Sequence, residues 1–249
     1  MINFELENSV GSWISLPCDS IYEIYARSQF DWVLLDLEHG SISIGEIENA
    51  IRIISGLHSK PCLVRTTLVS DANMIRRALD FGASGLMLPA VEKEEDLVFA
   101  GQYAYYPPVG KRGMGLHRAN WYGREFDGYY RQSKSIPLIA QIETKGGLEN
   151  LELILKNDYC SAVFVGPYDL SASLGVPGDF SNPLYEEALQ YITKSCAKAG
   201  KPVGIHDVSG TGDNSVFHNL GFNYLAKGLD ALLLLNAVES MANMGGLRK

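Results

Sequence analysis

The sequence predicts an α/β fold, and within that class a closed (β/α)8 barrel. Three observations support this. Eight short apolar runs alternate with longer amphipathic segments along all 249 residues. No GxGxxG or GxxxxGK[ST] loop follows an early strand, which disfavours an open nucleotide-binding sheet. Ionisable residues collect where the apolar runs end, and a barrel places its catalytic groups there.

The predicted strands are 12–16, 32–36, 62–65, 85–89, 137–143, 162–166, 202–206 and 223–228. Between them lie predicted helices near 20–28, 44–56, 71–81, 93–103, 146–157, 183–199 and 210–220, with a last one from about 230 to 245. Ser43 with Glu46 three residues on forms a capping-box pattern. Ser70–Asp71 and Asn182–Pro183 also mark helix starts, while Gly56, Gly82, Gly200 and Gly221 mark ends. Alternating strands and helices require parallel pairing through right-handed crossovers. One domain over 1–249 is expected, a usual length for such a barrel.

Apolar residues make up 46% and charged residues 20%, with a net charge of −8. Such a surface repels nucleic acid and anionic membranes, so neither is an expected partner. No basic segment leads into an apolar run at the N-terminus, and no run is long enough to span a bilayer. Cys18, Cys62, Cys160 and Cys196 are scattered and form no CxxC pair. They read as reduced thiols of a cytoplasmic protein.

The strand ends carry the candidate chemistry. Glu143 and Asp169 end adjacent strands and can converge, which suits a hard divalent cation. Ion pairing of each, for example with Lys145, is the alternative. Arg65 suits a substrate carboxylate or an oxyanion; it could equally be the counter-ion of Asp36 or Glu38. Asp36 and Glu38 share strand parity, and His39 follows them as a candidate proton carrier or a helix-capping loop residue. The stretch GPYDLSASLG (166–175) reads as strand, turn and short helix. Its N–H groups around Leu170–Ser173, including that of Ser171, could hold a substrate carboxylate. The loop YYPPVGKRGMG (105–115) belongs to the opposite face and suggests a subunit contact. Lys227 is a possible Schiff-base lysine or a structural lysine near Asp230.

FDWVLLDLEHG, LVR, RRALDFGASGLMLPAVE, YYPPVGKRGMG, IAQIET and VFVGPYDLSASLG occur in this order. Together they resemble the HpcH/HpaI class II pyruvate aldolases. The resemblance implies a TIM barrel of the phosphoenolpyruvate/pyruvate type. It also implies a homo-oligomer, trimer or hexamer, with the last helix exchanged between subunits. The implied cofactor is Mg²⁺, Mn²⁺ or Co²⁺ on Glu143 and Asp169. Arg65 would bind pyruvate, with Gln141 beside it. His39 would be the acid/base, oriented by Asp36, and Asp80 would reach a neighbour's acceptor pocket. The implied activity is that of a carbon–carbon lyase: reversible cleavage of a 4-hydroxy-2-oxo acid, such as a 2-oxo-3-deoxy sugar acid, to pyruvate and an aldehyde. A citrate-synthase-like or lyase enzyme using oxaloacetate or an acyl-CoA is one alternative. A non-catalytic assembly barrel is another.

Overall fold

Each strand is a short apolar run buried on both faces, the pattern expected of parallel strands covered by helices. In a computed structural model describing residues 5–244, these runs form β1 Val10–Ile14, β2 Trp32–Asp36, β3 Cys62–Arg65, β4 Gly85–Leu88, β5 Leu138–Ile142, β6 Ala162–Val165, β7 Val203–Asp207 and β8 Tyr224–Leu229. All pair in parallel in chain order, and β8 returns to β1 to close the barrel. The helices are α1 Asp19–Arg27, α2 Ile44–Ile51, α3 Ala72–Phe81, α4 Glu94–Ala104, α5 Phe126–Gln132, α6 Lys145–Glu149, α7 Leu151–Lys156, α8 Pro167–Ser173, α9 Pro183–Ala199, α10 Asn214–Asn219 and α11 Asp230–Met244.

Strand parity explains the mouth of the barrel. Trp32, Leu34, Leu63, Ile139 and Phe164 fill the interior, while Val33, Leu35, Val64, Ala140 and Val165 pack under the helices. Alternation carries the interior face onward to Asp36, Arg65 and Gln141 at the C-terminal ends of β2, β3 and β5. It does the same for His206 near the end of β7. Truncating Leu34 to alanine in this packed interior would cost about 2–5 kcal/mol.

The caps follow the sequence. Ser43 N–H donates to Glu46 Oε2 at 2.7 Å. Asp71 Oδ1 accepts the N–H groups of Asn73 and Met74 at the start of α3. Gly82, Gly200 and Gly221 take left-handed φ at helix ends. Gly56 does not end a helix, because α2 continues through a π-helical turn, Arg52–Leu57. The expected helix 146–157 is two helices, α6 and α7, broken at Asn150 (φ −99°, ψ 8°). Between α4 and β5 the sequence suggested only a loop. The structure adds a 3₁₀ segment, Arg118–Gly123, and α5. The expected first strand shifts to β1, because the Ser15 N–H donates to Asp230 Oδ1 at 2.9 Å instead of extending the ladder.

Helix α11 packs only by its base. Leu234, Leu235, Val238 and Met241 are exposed.

Candidate active site

Parallel pairing places Asp36 opposite Arg65 as register partners on β2 and β3. Arg65 donates Nε–H to Asp36 Oδ1 at 2.8 Å and Nη2–H to Oδ2 at 2.7 Å, a bidentate fork. Its Nη1 lies 2.9 Å from Glu38 Oε2, at ion-pair distance but without hydrogen-bond alignment. The shared parity of Asp36 and Glu38 thus brings both acids to one guanidinium. Its remaining N–H groups make no hydrogen bond among the described residues. Burial pushes the Glu38 carboxyl up from its ordinary pKa, and Arg65 opposes that rise.

The guanidinium also lies over the Trp13 ring, with Cζ 4.5 Å from the centroid. Trp13 in turn packs on His206, ring centroids 4.3 Å apart. Burial drives the His206 pKa down to about 4, so the ring is neutral at pH 7. Its Nε2 is 3.0 Å from the Gly228 carbonyl, which requires the Nε2–H tautomer as donor. Nothing in the sequence pattern of β1 marked Trp13 as part of this stack. Its interior parity was the available signal.

Across the mouth, Glu143 is 4% exposed. Its Oε1 accepts the N–H of Ala90 at 2.7 Å, and Gln141 Nε2 donates to its Oε2. Ala90 is left-handed (φ 46°), an uncommon conformation for a residue with a Cβ. Burial raises the Glu143 carboxyl to about pKa 7, and the charges of Glu38 and Asp169 add to that rise. Gly166 keeps the pair in place: a Cβ there would lie 2.5 Å from Glu143 Oε2 and 2.8 Å from Gln141 Nε2. Lys145 is not the counter-ion the sequence allowed, for its Nζ is 3.8 Å from Glu149.

The profile of the HpcH/HpaI aldolase/citrate lyase family matches residues 9–237. A 2-keto-3-deoxy-L-rhamnonate aldolase from Salmonella dublin is 34% identical over 241 residues, covering 96% of this chain and 89% of the relative. An HpcH/HpaI aldolase/citrate lyase family protein from Burkholderia cenocepacia J2315 superposes with a TM-score of 0.89 at 30% identity, covering 96% of this chain and 94% of that one. The HpcH/HpaI aldolase from Desulfitobacterium hafniense DCB-2 gives 0.85 at 26% identity, covering 98% and 94%.

This chain belongs to the HpcH/HpaI aldolase/citrate lyase family.

In this HpcH/HpaI barrel the structure brings together Asp36, Glu38, Arg65, Gln141 and Glu143, with Asp169 close enough to act on both Glu38 and Glu143. Three expectations need correction. Asp36 does not orient the His39 ring. Its carboxylate is occupied by Arg65 and by the backbone N–H groups of Glu38 and His39. The His39 ring is 66% exposed, and its Nε2 is 4.0 Å from Glu38 Oε2.

Leu170 and Ser171 do not offer free N–H groups. The Leu170 N–H donates to the Gly166 carbonyl at 3.0 Å, and Ser171 lies one residue deeper in α8. The Ser171 hydroxyl donates to the Tyr168 carbonyl and accepts the Gly178 N–H. Because α8 opens at Pro167, the unsatisfied donors of its first turn belong to Tyr168 and Asp169.

Asp80 is not at its own chain's mouth. It ends α3, where its Oδ1 lies 2.5 Å from Arg112 Nη2 and 3.3 Å from His117 Nε2. Lys227 is structural, but not through Asp230. Its Nζ donates to the Gly212 carbonyl and Asn214 Oδ1, at 2.7 and 2.9 Å.

Among the described residues no group of three His, Cys, Asp or Glu side chains forms a cation cage. The donor set still fits Mg²⁺ or Mn²⁺. Such cations take one or two carboxylates and complete their shell with water and substrate oxygens. Glu143 and Asp169 would supply the carboxylates. Gln141 Oε1 is a buried oxygen without a hydrogen-bond partner.

Proposed function

We propose that this carbon–carbon lyase is a divalent-metal-dependent class II aldolase. It reversibly cleaves a 4-hydroxy-2-oxo acid to pyruvate and an aldehyde. The observation that carries the reading is the pairing of a rigid cation with a buried oxygen set across one barrel mouth. Arg65 is locked by Asp36 on one side, and Glu143 is held by Ala90 and Gln141 on the other. The name of the Salmonella dublin relative favours a 2-oxo-3-deoxy sugar acid as substrate.

A metal held by Glu143 and Asp169 would supply Lewis acidity toward the keto and carboxylate oxygens of the substrate. The free N–H groups of Arg65 stabilise negative charge developing on the keto oxygen, and they need no reorganisation because Asp36 fixes the guanidinium. The first-turn N–H groups of Tyr168 and Asp169 suit the substrate carboxylate. His39 stands on the exposed loop after β2, where it carries the proton of the C4 hydroxyl during cleavage and returns it during addition. Glu38 lies beside both His39 and Arg65.

The exposed apolar side chains of α11 support a homo-oligomer, trimer or hexamer, in which this helix is exchanged between subunits. Asp80 would then reach a neighbouring mouth. All four cysteines are free, which suits the reducing cytoplasm, and no helix among the described residues is long and apolar enough to cross a membrane. The direct test is pyruvate release from a panel of 2-oxo-3-deoxy sugar acids with Mg²⁺, Mn²⁺ or Co²⁺. Metal-dependent release from at least one is expected. Release from none of them by folded protein overturns the reading.

A further inference from the structure

A second concave site lies at the opposite end of the barrel. Residues 55–57 precede β3 and residues 82–84 precede β4, so this end is the N-terminal face, away from Arg65 and Glu143. Between the π-helical turn, the end of α3 and the 3₁₀ segment Arg118–Gly123 is a cavity of about 610 Å³. That volume suits a small metabolite. Arg52, Arg118, Trp121 and Tyr122 are among its walls.

Its charge is unbalanced. Arg52 pairs with Glu48 at 3.0 Å. Arg118 has no carboxylate at ion-pair distance among the described residues, and its Nη1 donates to the Phe81 carbonyl at 2.6 Å. Burial and the charge of Arg52 both push the Arg118 pKa down from its ordinary value. Two guanidinium groups therefore share one nearby carboxylate.

The position of Arg118 depends on the absence of side chains beneath it. A Cβ at Gly56 would come within 2.8 Å of its Nη2, and one at Gly82 within 2.9 Å of its Nη1. Neither glycine could be replaced without displacing the guanidinium. The rim is aromatic. Trp121 and Tyr122 are 66% and 62% exposed, with consecutive left-handed φ of 51° and 53°. Bulky residues rarely adopt that conformation, and here it sets two flat rings at the cavity edge.

We propose that this cavity is a second ligand site, which binds a small carboxylate or phosphate attached to a flat or apolar body. Arg118 and Arg52 take the anion by charge-assisted hydrogen bonds, and Trp121 with Tyr122 covers the body. The site faces away from the catalytic mouth of its own chain.

Phenyl phosphate and inorganic phosphate are suitable probes, titrated calorimetrically into the intact protein with Mg²⁺ and saturating pyruvate to block the mouth. Phenyl phosphate should bind saturably at one site per chain and quench the fluorescence of the exposed Trp121. Arg118→Gln and Arg52→Gln should each weaken it at least about tenfold, the loss expected for a charge-assisted hydrogen bond. Trp121→Ala should weaken phenyl phosphate while leaving inorganic phosphate unchanged. If Arg118→Gln does not fold, Arg52→Gln decides, because that side chain is 56% exposed and leaves packing intact. No saturable binding, or binding unchanged in the folded arginine variants, overturns the site. Shielding of Trp121 from iodide in the unliganded assembly also overturns it, since a second copy would then cover the face.

Discussion

Asp36 and Arg65 are register partners on adjacent strands, joined by two parallel hydrogen bonds of 2.8 and 2.7 Å. Both side chains are 4% exposed. The pair fixes a permanent cation in the plane that a carboxylate or enolate oxygen would meet. Asp36 therefore holds Arg65 in one orientation.

This assignment separates two outcomes for Asp36→Asn. The amide keeps the shape but loses the charge and one acceptor. Substrate KM should rise and kcat fall, together lowering kcat/KM about 10²–10³-fold. The pH profile of the His39-dependent step should stay in place. A shifted profile would show that Asp36 orients the imidazole after all.

Arg65→Lys keeps the charge and loses the fork. Lysine is a point donor and cannot make both bonds to Asp36. Activity should fall at least about 100-fold, with circular dichroism unchanged. Near-wild-type turnover would mean that charge alone suffices.

Gly166→Ala tests the oxygen set without touching a ligand. Its φ of −89° permits alanine, so any effect comes from the new methyl pressing on Glu143 and Gln141. Affinity for Mn²⁺, read by titration calorimetry, should drop about tenfold or more, while the melting temperature of the metal-free protein changes little. Unchanged Mn²⁺ affinity would remove Glu143 from the site.

Two buried groups should give opposite pH dependences in metal-free protein. Glu143 titrates near 7 when folded against 4.5 ordinarily. Its contribution is complete below about pH 4.5 and is lost as pH rises through 7, about 3 kcal/mol in all. His206 titrates near 4 against 6.5. Its contribution is complete above about pH 6.5 and is lost as pH falls through 4, again about 3 kcal/mol. In urea melts between pH 4.5 and 6.5, Glu143→Gln should lose stability toward acid relative to wild type. His206→Phe should lose it toward alkali. Slopes of the same sign in both variants would contradict these environments.

Most of the barrel was legible because its strands are compact, largely apolar runs, two of which, β2 and β3, end on a single charged residue. β2 and β3 match their expected bounds residue for residue. The segment 118–132 was not legible. Its helical turns are polar and aromatic, and Trp121–Tyr122 adopt a left-handed backbone that no periodicity announces. At the site, parity showed that Asp36 and Glu38 point the same way. It could not show which cation they meet, because Arg65 is 29 residues away and only strand register brings it opposite. The resemblance gave Asp36 to His39, whereas strand register gives its carboxylate to Arg65. Leu170 and Ser171 failed because the helix begins at Pro167, so the open donors lie earlier than the motif suggested.

Exchange of the pyruvate methyl protons with D₂O, followed by proton NMR, reports on the proposed enolate itself. It requires enolate formation at the mouth and needs no acceptor aldehyde. Exchange should depend on Mg²⁺, Mn²⁺ or Co²⁺ and disappear in Glu143→Ala and Arg65→Lys. Folded wild-type protein that catalyses no exchange with any of these metals would contradict the proposed function, as would exchange that persists in Glu143→Ala.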